Sequence, residues 1–357
     1  MKIITLILAL AATTAAFAKD KPAHVFHLYS IDGELTLADD KTMYVVGFAN
    51  WDDNFGPAPS PITPEVQKKL SERLTVPGPT IRVKKGEHVQ VVYHHAGHIV
   101  ADEHSAFCSV SHTIHFHGLD LIQAMDGTPD LPLPAITQGK SYTYDFTPDY
   151  EGTYMYHCHV DSSTHIMLGM YGALIVEGNK PKTIYGYKYD REYTLLLSEM
   201  DSTHNEAIRT KGRYDLLKWR TDYWLMNGRI FVSDLKNPLS TINDPKSRIV
   251  CKPGETVLIR FLAVGFKHTF AMHPHGYHMQ VIGTDGRKLS SPYEKDTIPI
   301  VSGERYDVLV KIGEKHRGLC TSCNIGKGIS IMHDHNLAGE ASDGTYPKGP
   351  LTIFEVQ

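Results

Sequence analysis

Four His-x-His pairs are the most prominent chemical feature of the sequence. They are His115/His117, His157/His159, His273/His275 and His333/His335. Residues i and i+2 of a β-strand point to the same face, so each pair can present two imidazoles to one side. Eight imidazoles are too many for one ordinary metal site. Their number predicts a cluster of three copper ions, each bound by two or three neutral imidazoles, with open positions left for oxygen.

A cysteine inside the second pair indicates another kind of copper site. Cys158 stands between the two histidines of that pair and is followed by His165 and Met170. A thiolate, two imidazoles and a weak axial thioether make up a blue-copper site, and the missing imidazole can come from His112. Because the neighbours of Cys158 are themselves predicted cluster ligands, electrons could pass from the blue copper to the cluster over a few bonds.

The fourth pair differs from the second at its central residue. Asp334 stands where the second pair has Cys158. A carboxylate cannot replace a thiolate in a blue site, so the second half of the chain is expected to hold no blue copper. Asp334, and less directly Asp120 and Asp161, could instead deliver protons for oxygen reduction or fix the tautomers of neighbouring imidazoles.

The elements that must position these residues have the pattern of strands. Short runs of alternating or β-branched residues, bounded by Gly, Pro and Asp, recur at residues 89–93, 173–176, 256–259 and 307–310. Long helical periods are scarce. The pattern predicts an all-β protein built of β-sandwiches.

The order of these features repeats on the scale of a domain. In each half a strand opened by Gly-Glu precedes a His-x-His cluster, and a second cluster precedes a final apolar strand, at residues 172–177 and 350–356. Turn-forming residues 178–182 follow the first of these strands. We therefore predict a first domain at residues 19–182 and a second at 183–357.

The N-terminal sequence and the composition of the chain indicate where the protein is located and which partners it can have. Residues 1–18 have a basic start, an apolar stretch and a small-residue cleavage site, which predicts a secretory signal and a secreted or periplasmic protein. No later stretch is long and apolar enough to span a bilayer. The 357 residues suffice for two domains, and a net charge of −4 without a basic stripe argues against a nucleic-acid partner.

Five cysteines leave one without a disulfide partner, and Cys158 is the candidate for that odd thiol. Cys108, Cys251, Cys320 and Cys323 could form two disulfides in any of three connectivities, since an oxidising compartment would let them persist. The Cys-x-x-Cys pair at 320–323 could instead be a redox or metal motif.

These motifs together resemble those of the multicopper oxidases. The family pattern His-x-x-His-x-His-Gly occurs at residues 112–118 and His-Cys-His at 157–159, and flanking phrases at 76–81, 226–229 and 302–307 also match. The resemblance is to the small two-domain, laccase-like group with the blue copper in domain 1. It implies two cupredoxin-like (Greek-key β-sandwich) domains and an oxidase that takes single electrons from a donor and reduces O2 to water.

The resemblance also implies a ligand set for four coppers per chain. The type 1 (blue) ligands would be His112, Cys158, His165 and Met170. The type 2 ligands would be His115 and His273. The two type 3 coppers would take His117, His157, His159, His275, His333 and His335. Cys158, His165 and Asp334 would serve catalysis directly, with the donor expected to approach an exposed edge of His165.

Two further expectations follow from the family. Two-domain relatives assemble as rings of three in which each cluster is shared between subunits, so a homotrimer is implied. The loop between His159 and His165 is longer than in the common three-domain enzymes. Met167 therefore rivals Met170 as the axial ligand, although Met170 is preferred.

Other functions explain the histidines less well. A copper nitrite reductase has a catalytic aspartate where this chain has His115, and lacks the histidine found here at His159. An electron carrier needs only the blue-copper ligands, and a copper store would show Met-rich or Cys-rich tracts. For an oxidase, small phenols and aromatic amines are the default donors, and Cu(I) or Fe(II) is the main alternative.

Overall fold

The computed structural model describes residues 21–129, 135–234, 236–313 and 328–357. The predicted secretory signal at residues 1–18 lies outside these ranges, and so do Cys320 and Cys323. Strands make up 42% of the described residues and helices 13%, which confirms the prediction of an all-β protein.

The first half of the chain forms two four-stranded sheets. Their strands are β1 (His24–Thr36), β2 (Thr42–Ala49), β3 (Gly78–Lys84), β4 (Val89–His95), β5 (His115–His117), β6 (Ser141–Phe146), β7 (Gly152–His157) and β8 (Tyr171–Glu177). One sheet has the order β2-β1-β4-β6 and the other β3-β8-β7-β5. Alternate residues of β4 are buried, as expected for a strand with one face on a sandwich core. That core includes Phe48, Tyr93 and Phe116.

A short hairpin of β9 (Thr183–Ile184) and β10 (Tyr187–Lys188) precedes the second pair of sheets. The strands of those sheets are β11 (Arg191–Met200), β12 (Tyr223–Met226), β13 (Ile249–Cys251), β14 (Thr256–Val264), β15 (Phe270–Pro274), β16 (Met279–Thr284), β17 (Arg287–Lys295), β18 (Ile298–Ile300), β19 (Arg305–Lys311), β20 (Gly328–Asp334) and β21 (Leu351–Val356). They form a six-stranded sheet, β12-β11-β14-β19-β16-β17, and a five-stranded sheet, β13-β21-β20-β15-β18. Phe261, Met272 and Phe354 belong to the core between them. The domain boundary at 182/183 stays a prediction.

The helices are short. They are α1 (Pro64–Arg73), α2 (Gln123–Asp126), α3 (Ser162–His165) and α4 (Ser202–Lys211). Helix α1 begins after Thr63, whose hydroxyl accepts the N–H of Val66, and proline at its first position needs no hydrogen-bond partner there. Within the described ranges, the helices lack the combination of length and apolar character required for crossing a membrane.

The two sandwiches pack against each other through a third apolar cluster. It joins Val45, Met155 and Tyr171 of the first half to Leu196 and Leu262 of the second. Burial of such side chains contributes about 1.5–3 kcal/mol each, so this interface fixes the two halves as one body.

Candidate metal centre

The thiol of Cys158 and two imidazoles meet in the interior of the first half. Cys158 directly follows β7, His165 ends α3, and His112 forms an isolated antiparallel bridge with Ile136. Nδ1 of His112 and Nδ1 of His165 lie 3.6 and 3.4 Å from Sγ of Cys158 and 3.2 Å from each other. One sulfur and two nitrogens thus form a compact triangle, the donor set of a trigonal blue-copper site.

Burial sets the protonation of this triangle. His112 and Cys158 are fully buried and His165 is 1% exposed. Burial lowers the pKa of both imidazoles, so each keeps a free lone pair at neutral pH. Burial raises the pKa of the Cys158 thiol to about 12, so a cation must displace its proton before the sulfur can bind as a thiolate. The residues present therefore fit a metal ion that takes thiolate and neutral imidazole.

The chain returns to this triangle at Met170. The N–H of Cys158 donates to the carbonyl of Met170 at 3.0 Å, and the N–H of Met170 donates to the carbonyl of His165 at 3.2 Å. Met170 is fully buried and Met167 is 3% exposed. The backbone holds Met170 beside two members of the triangle, which supports it over Met167; the choice of axial ligand stays a prediction.

The four histidines of the first half form a quartet on one two-stranded ladder. β5 pairs with β7 so that His115 stands opposite His157. Their ring centroids are 5.1 Å apart, and His117 and His159 lie 5.5 and 5.9 Å from His157. Ligand atoms of His115, His117 and His157 all fall within 4.8 Å of one another. The predicted pairs on one strand face therefore converge.

The second half repeats this ladder in the same register. β15 pairs with β20 so that His273 stands opposite His333. The ring centroid of His333 lies 6.0 Å from that of His273, 5.2 Å from that of His275 and 5.5 Å from that of His335. Each half of the chain thus presents one quartet of imidazoles.

Four of the eight imidazoles direct Nδ1 at a main-chain carbonyl. The bonds are His115 to Asp126 at 2.6 Å, His157 to Cys158 at 2.9 Å, His273 to Asp296 at 2.8 Å and His333 to Asp334 at 3.0 Å. A ring that donates its Nδ1–H keeps its lone pair on Nε2. In the second quartet, Nε2 of His333 lies 3.1 Å from Nε2 of His275. The tautomers of these four rings are therefore those that metal binding through Nε2 requires.

The two quartets differ in exposure. His157 of the first is 7% exposed, and burial lowers its pKa to about 3 and that of His117 to about 4. In the second quartet His275 and His335 are exposed. Across the described ranges, no histidine ring of one quartet contacts a ring of the other.

Asp334 points away from its quartet into the interior. Strand alternation explains this, because its two neighbours face the quartet side. Its carboxylate lies 2.6 Å from Nε2 of His268 and accepts the N–H groups of Ala271 and Asn336 at 2.7 and 3.1 Å. Asp334 therefore anchors the interior behind the quartet, and its role in proton delivery stays a prediction.

The other two candidate carboxylates lie in different settings. Asp120 pairs with Arg287 at 2.6 Å, and its side chain is 66% exposed. Asp161 precedes α3, where its carbonyl accepts the N–H of His165 at 2.9 Å. Their roles in proton delivery also stay predictions.

Two histidines beside the triangle were missed by the sequence reasoning. Nε2 of His98 lies 3.1 Å from Nε2 of His112, and the ring of His95 lies 4.7 Å from that of His112. Three histidines within residues 94–98 were a signal, but they lack the His-x-His spacing. The expected approach of a donor to an exposed edge of His165 is wrong for this chain, because that side chain is 1% exposed.

The cysteines outside the triangle carry no confirmed bridge. Within the described residues, Cys108 and Cys251 are not bridged to each other. Cys320 and Cys323 lie outside those residues, so the pairing of the four cysteines stays a prediction.

Two family models, both described as multicopper oxidase, match residues 73–181 and 191–337. Copper resistance protein A of Pseudomonas syringae pv. tomato is 27% identical over 75% of this chain and 46% of its own length. Laccase-3 of Oryza sativa subsp. japonica is 30% identical over 67% of this chain and 39% of its own length. The chain thus spans less than half the length of these relatives.

Solved structures match the whole fold. The multicopper oxidase mgLAC has a TM-score of 0.69 and 27% identity over 94% of this chain and 86% of its own. The blue copper oxidase from Nitrosomonas europaea has a TM-score of 0.70 and 25% identity over 93% of this chain and 86% of its own. A copper nitrite reductase from the same organism, at 21% identity over 94% of each chain and a TM-score of 0.63, shares the fold alone. These likenesses confirm the cupredoxin-like fold.

Proposed function

The chain belongs to the multicopper oxidase family, and from this premise we propose that it oxidises phenolic, aromatic or other one-electron donors and reduces O2 to water, as a laccase does. One observation carries the proposal: two histidine ladders of matching register occur in one chain with a Cys-His-His triangle joined covalently to one of them. A carrier would need only the triangle. A nitrite reductase with a single three-histidine copper would leave imidazoles without a role.

We assign the ligands as the family pattern implies. The triangle of His112, Cys158 and His165, with Met170 as axial ligand, would hold the type 1 copper. His115 and His273 would hold the type 2 copper. The remaining quartet members would hold the type 3 pair, namely His117, His157, His159, His275, His333 and His335. This gives four coppers per chain.

Copper bound in these places would accept single electrons from a donor and supply four of them to O2. The chain provides the connection, since Cys158 is peptide-bonded to one quartet histidine on each side. It also provides rigidity, because the carbonyl groups that accept Nδ1–H from His115 and His157 hold those rings in one tautomer. Burial lowers the pKa of His157 to about 3, so this imidazole is neutral and able to bind metal.

The exposed second quartet supports a cluster shared between subunits. His275 and His335 lie at the surface, and the two quartets do not contact each other within the described chain. A head-to-tail contact would bring the second quartet of one subunit onto the first quartet of the next, and such contacts can close into a ring. A homotrimer with three interface clusters is therefore part of the proposal.

A secreted or periplasmic location is also part of the proposal. It rests on the signal-like sequence of residues 1–18 and agrees with a buried thiol that serves as a ligand and not as half of a disulfide.

The first experiment counts tightly bound copper after full loading and dialysis against a weak chelator, and then measures O2 uptake with a phenol, with Cu(I) and with Fe(II). We expect four coppers per chain, a blue absorption and phenol-driven O2 uptake without peroxide release. Two coppers per chain, or turnover of nitrite but not of O2, would overturn the oxidase proposal. Sedimentation of the loaded protein tests the trimer separately.

A further inference from the structure

An external donor cannot touch the type 1 ligands of the described chain. His112, Cys158 and Met170 are fully buried and His165 is 1% exposed. An electron from outside must therefore cross at least one other residue before it reaches the triangle.

His98 occupies the position between the triangle and the surface. Its Nε2 lies 3.1 Å from Nε2 of His112. Because Nδ1 of His112 faces Cys158, that ring carries its proton on Nε2 and donates it to the lone pair of His98. The side chain of His98 is only partly buried, and the adjacent Ile99 is 43% exposed.

We propose that His98 is the outer end of the electron path into the type 1 site, and that a donor docks over His98 and delivers its electron through the hydrogen bond to His112. This inference rests on the proposed function. In each event the donor loses one electron and the type 1 site gains it, a phenolic donor releases its proton to water, and no bond to His98 forms or breaks.

The neighbouring His95 does not turn this group into another metal site. Ligand atoms of His95, His98 and His112 lie within 4.8 Å of one another. However, Nδ1 of His95 accepts the N–H of Gly97 at 3.1 Å, and its Nε2–H donates to the carbonyl of Val110 at 2.9 Å. Both nitrogens of His95 are therefore occupied, and the contact between the other two rings is a hydrogen bond.

The loop that carries His98 is held firmly. The carboxylate of Asp32 accepts three successive backbone N–H groups of residues 99–101, at 2.6 to 2.9 Å. The ring of Phe107 packs edge-on against His98, with centroids 4.9 Å apart. A fixed distance between His98 and His112 is what efficient electron transfer across this contact requires.

The test compares His98→Phe with the wild type and with His104→Phe, a change at a histidine whose side chain is 91% exposed. Each protein is loaded with copper, and its blue absorption, paramagnetic resonance spectrum, type 1 potential and copper content are recorded. The rate of anaerobic reduction of the blue absorption by a small phenol is then measured by rapid mixing. His98→Gln, which keeps a hydrogen-bond acceptor, serves as the rescue variant.

The expected result distinguishes an electron path through His98 from an effect of His98 on the type 1 potential. Loss of the acceptor makes His112 a weaker donor to copper, which raises the potential and by itself would speed reduction. We expect the opposite: the His98→Phe rate falls about 10–100-fold, the range seen when partners of metal ligands are removed. His98→Gln should recover most of the rate, and His104→Phe should match the wild type.

Several results would overturn the inference. They are an unchanged or faster reduction of His98→Phe, and a wild type that holds one more copper than the variant. If His98→Phe loses the blue absorption, the same comparison is made with His98→Leu. A wild type without blue absorption or O2 uptake would refute the proposed function instead. A blue, active wild type with a normal His98→Phe rate would refute only the role of His98.

Discussion

The surroundings of Cys158 and of Asp334 share one plan but differ in their chemistry. Each residue lies between two quartet histidines and points into the interior of its own sandwich. Cys158 contacts His112, whose far nitrogen bonds a further histidine. Asp334 contacts His268, whose ring packs on Phe270 with centroids 4.7 Å apart. A Cys-His-His triangle in one half thus corresponds to a hydrogen-bonded polar cluster in the other.

The backbone anchors of the two places are alike. In the first half, Asp32 on β1 accepts the N–H groups of residues 99–101. In the second half, Glu199 on β11 accepts the N–H groups of residues 266–268. β1 pairs in parallel with β4, and β11 pairs in parallel with β14, so both anchors arise from equivalent ladders. The scaffold is therefore common to both halves, and a few side chains decide whether it can hold soft metal.

The largest expected effect comes from making the surroundings of Cys158 resemble those of Asp334. In Cys158→Asp the thiolate is lost, and a carboxylate is a poor ligand for a blue site. We expect loss of the blue absorption, of one copper per chain and of donor-driven O2 uptake down to background. A variant that keeps the blue absorption would contradict the assignment of Cys158 to the blue-copper site. Copper at the quartets should remain, as measured by metal analysis.

The next change removes one imidazole from the second ladder. His333→Ala removes one imidazole of the exposed quartet and leaves the triangle untouched, so the blue absorption should persist while O2 consumption falls to background. His104→Ala is the matched control, because its side chain is 91% exposed. Normal O2 consumption by His333→Ala would contradict the assignment of the second quartet to the cluster.

In the copper-free protein, a falling pH should destabilise the fold of the first half before that of the second. Burial lowers the pKa of many first-half histidines, to about 4 for His94 and His117 and about 3 for His98 and His157. Unfolded histidines titrate at about 6.5, so these groups stabilise the fold above that pH, and the stabilisation is lost as the pH falls toward 4 and 3. In the second half the described histidines with a lowered pKa are fewer, His204 and His275.

Amide hydrogen exchange measured between pH 6.5 and pH 4 tests this order. Peptides from β4, β5 and β7 should lose protection first, and peptides from β14 and β20 later. Equal loss in both halves, or earlier loss in the second, would contradict it.

The smallest effects are expected at the two anchors. Asp32→Asn and Glu199→Gln each replace a carboxylate that accepts three backbone N–H groups by an amide, which is a weaker acceptor. Each should lower the free energy of unfolding by about 1–3 kcal/mol. Only Asp32→Asn should also slow reduction of the blue absorption, because its loop carries His98. Thermal unfolding and rapid-mixing reduction check both variants. A slower reduction in Glu199→Gln would break the distinction between the two halves.

The sequence predicted the ladders well because strand geometry is local. A His-x-His pair on a strand must face one side, and Asp334 between two such histidines must face the other, as the structure has it. The triangle followed from residue types alone, since few metals take a thiolate with two imidazoles. The all-β fold followed from the short alternating runs.

The sequence could not predict what depends on loop packing. Residues 160–170 form a short helix and a turn that bury His165. The spacing of Cys158, His165 and Met170 in the sequence does not indicate this burial. His98 lies beyond the end of β4, in a loop shaped by an aspartate far away along the chain. Contacts of this kind arise between distant segments, so residue spacing carries no trace of them.

The carbonyl acceptors of the quartet histidines have an evolutionary consequence. His273 donates Nδ1–H to the main-chain oxygen of Asp296 at 2.8 Å. Every residue type supplies such an oxygen, so the amino acid at position 296 can change without disturbing the tautomer of the His273 ring. The orientation of this imidazole is thereby insensitive to the side chain at position 296, and the sequence there can diverge around an unchanged ring.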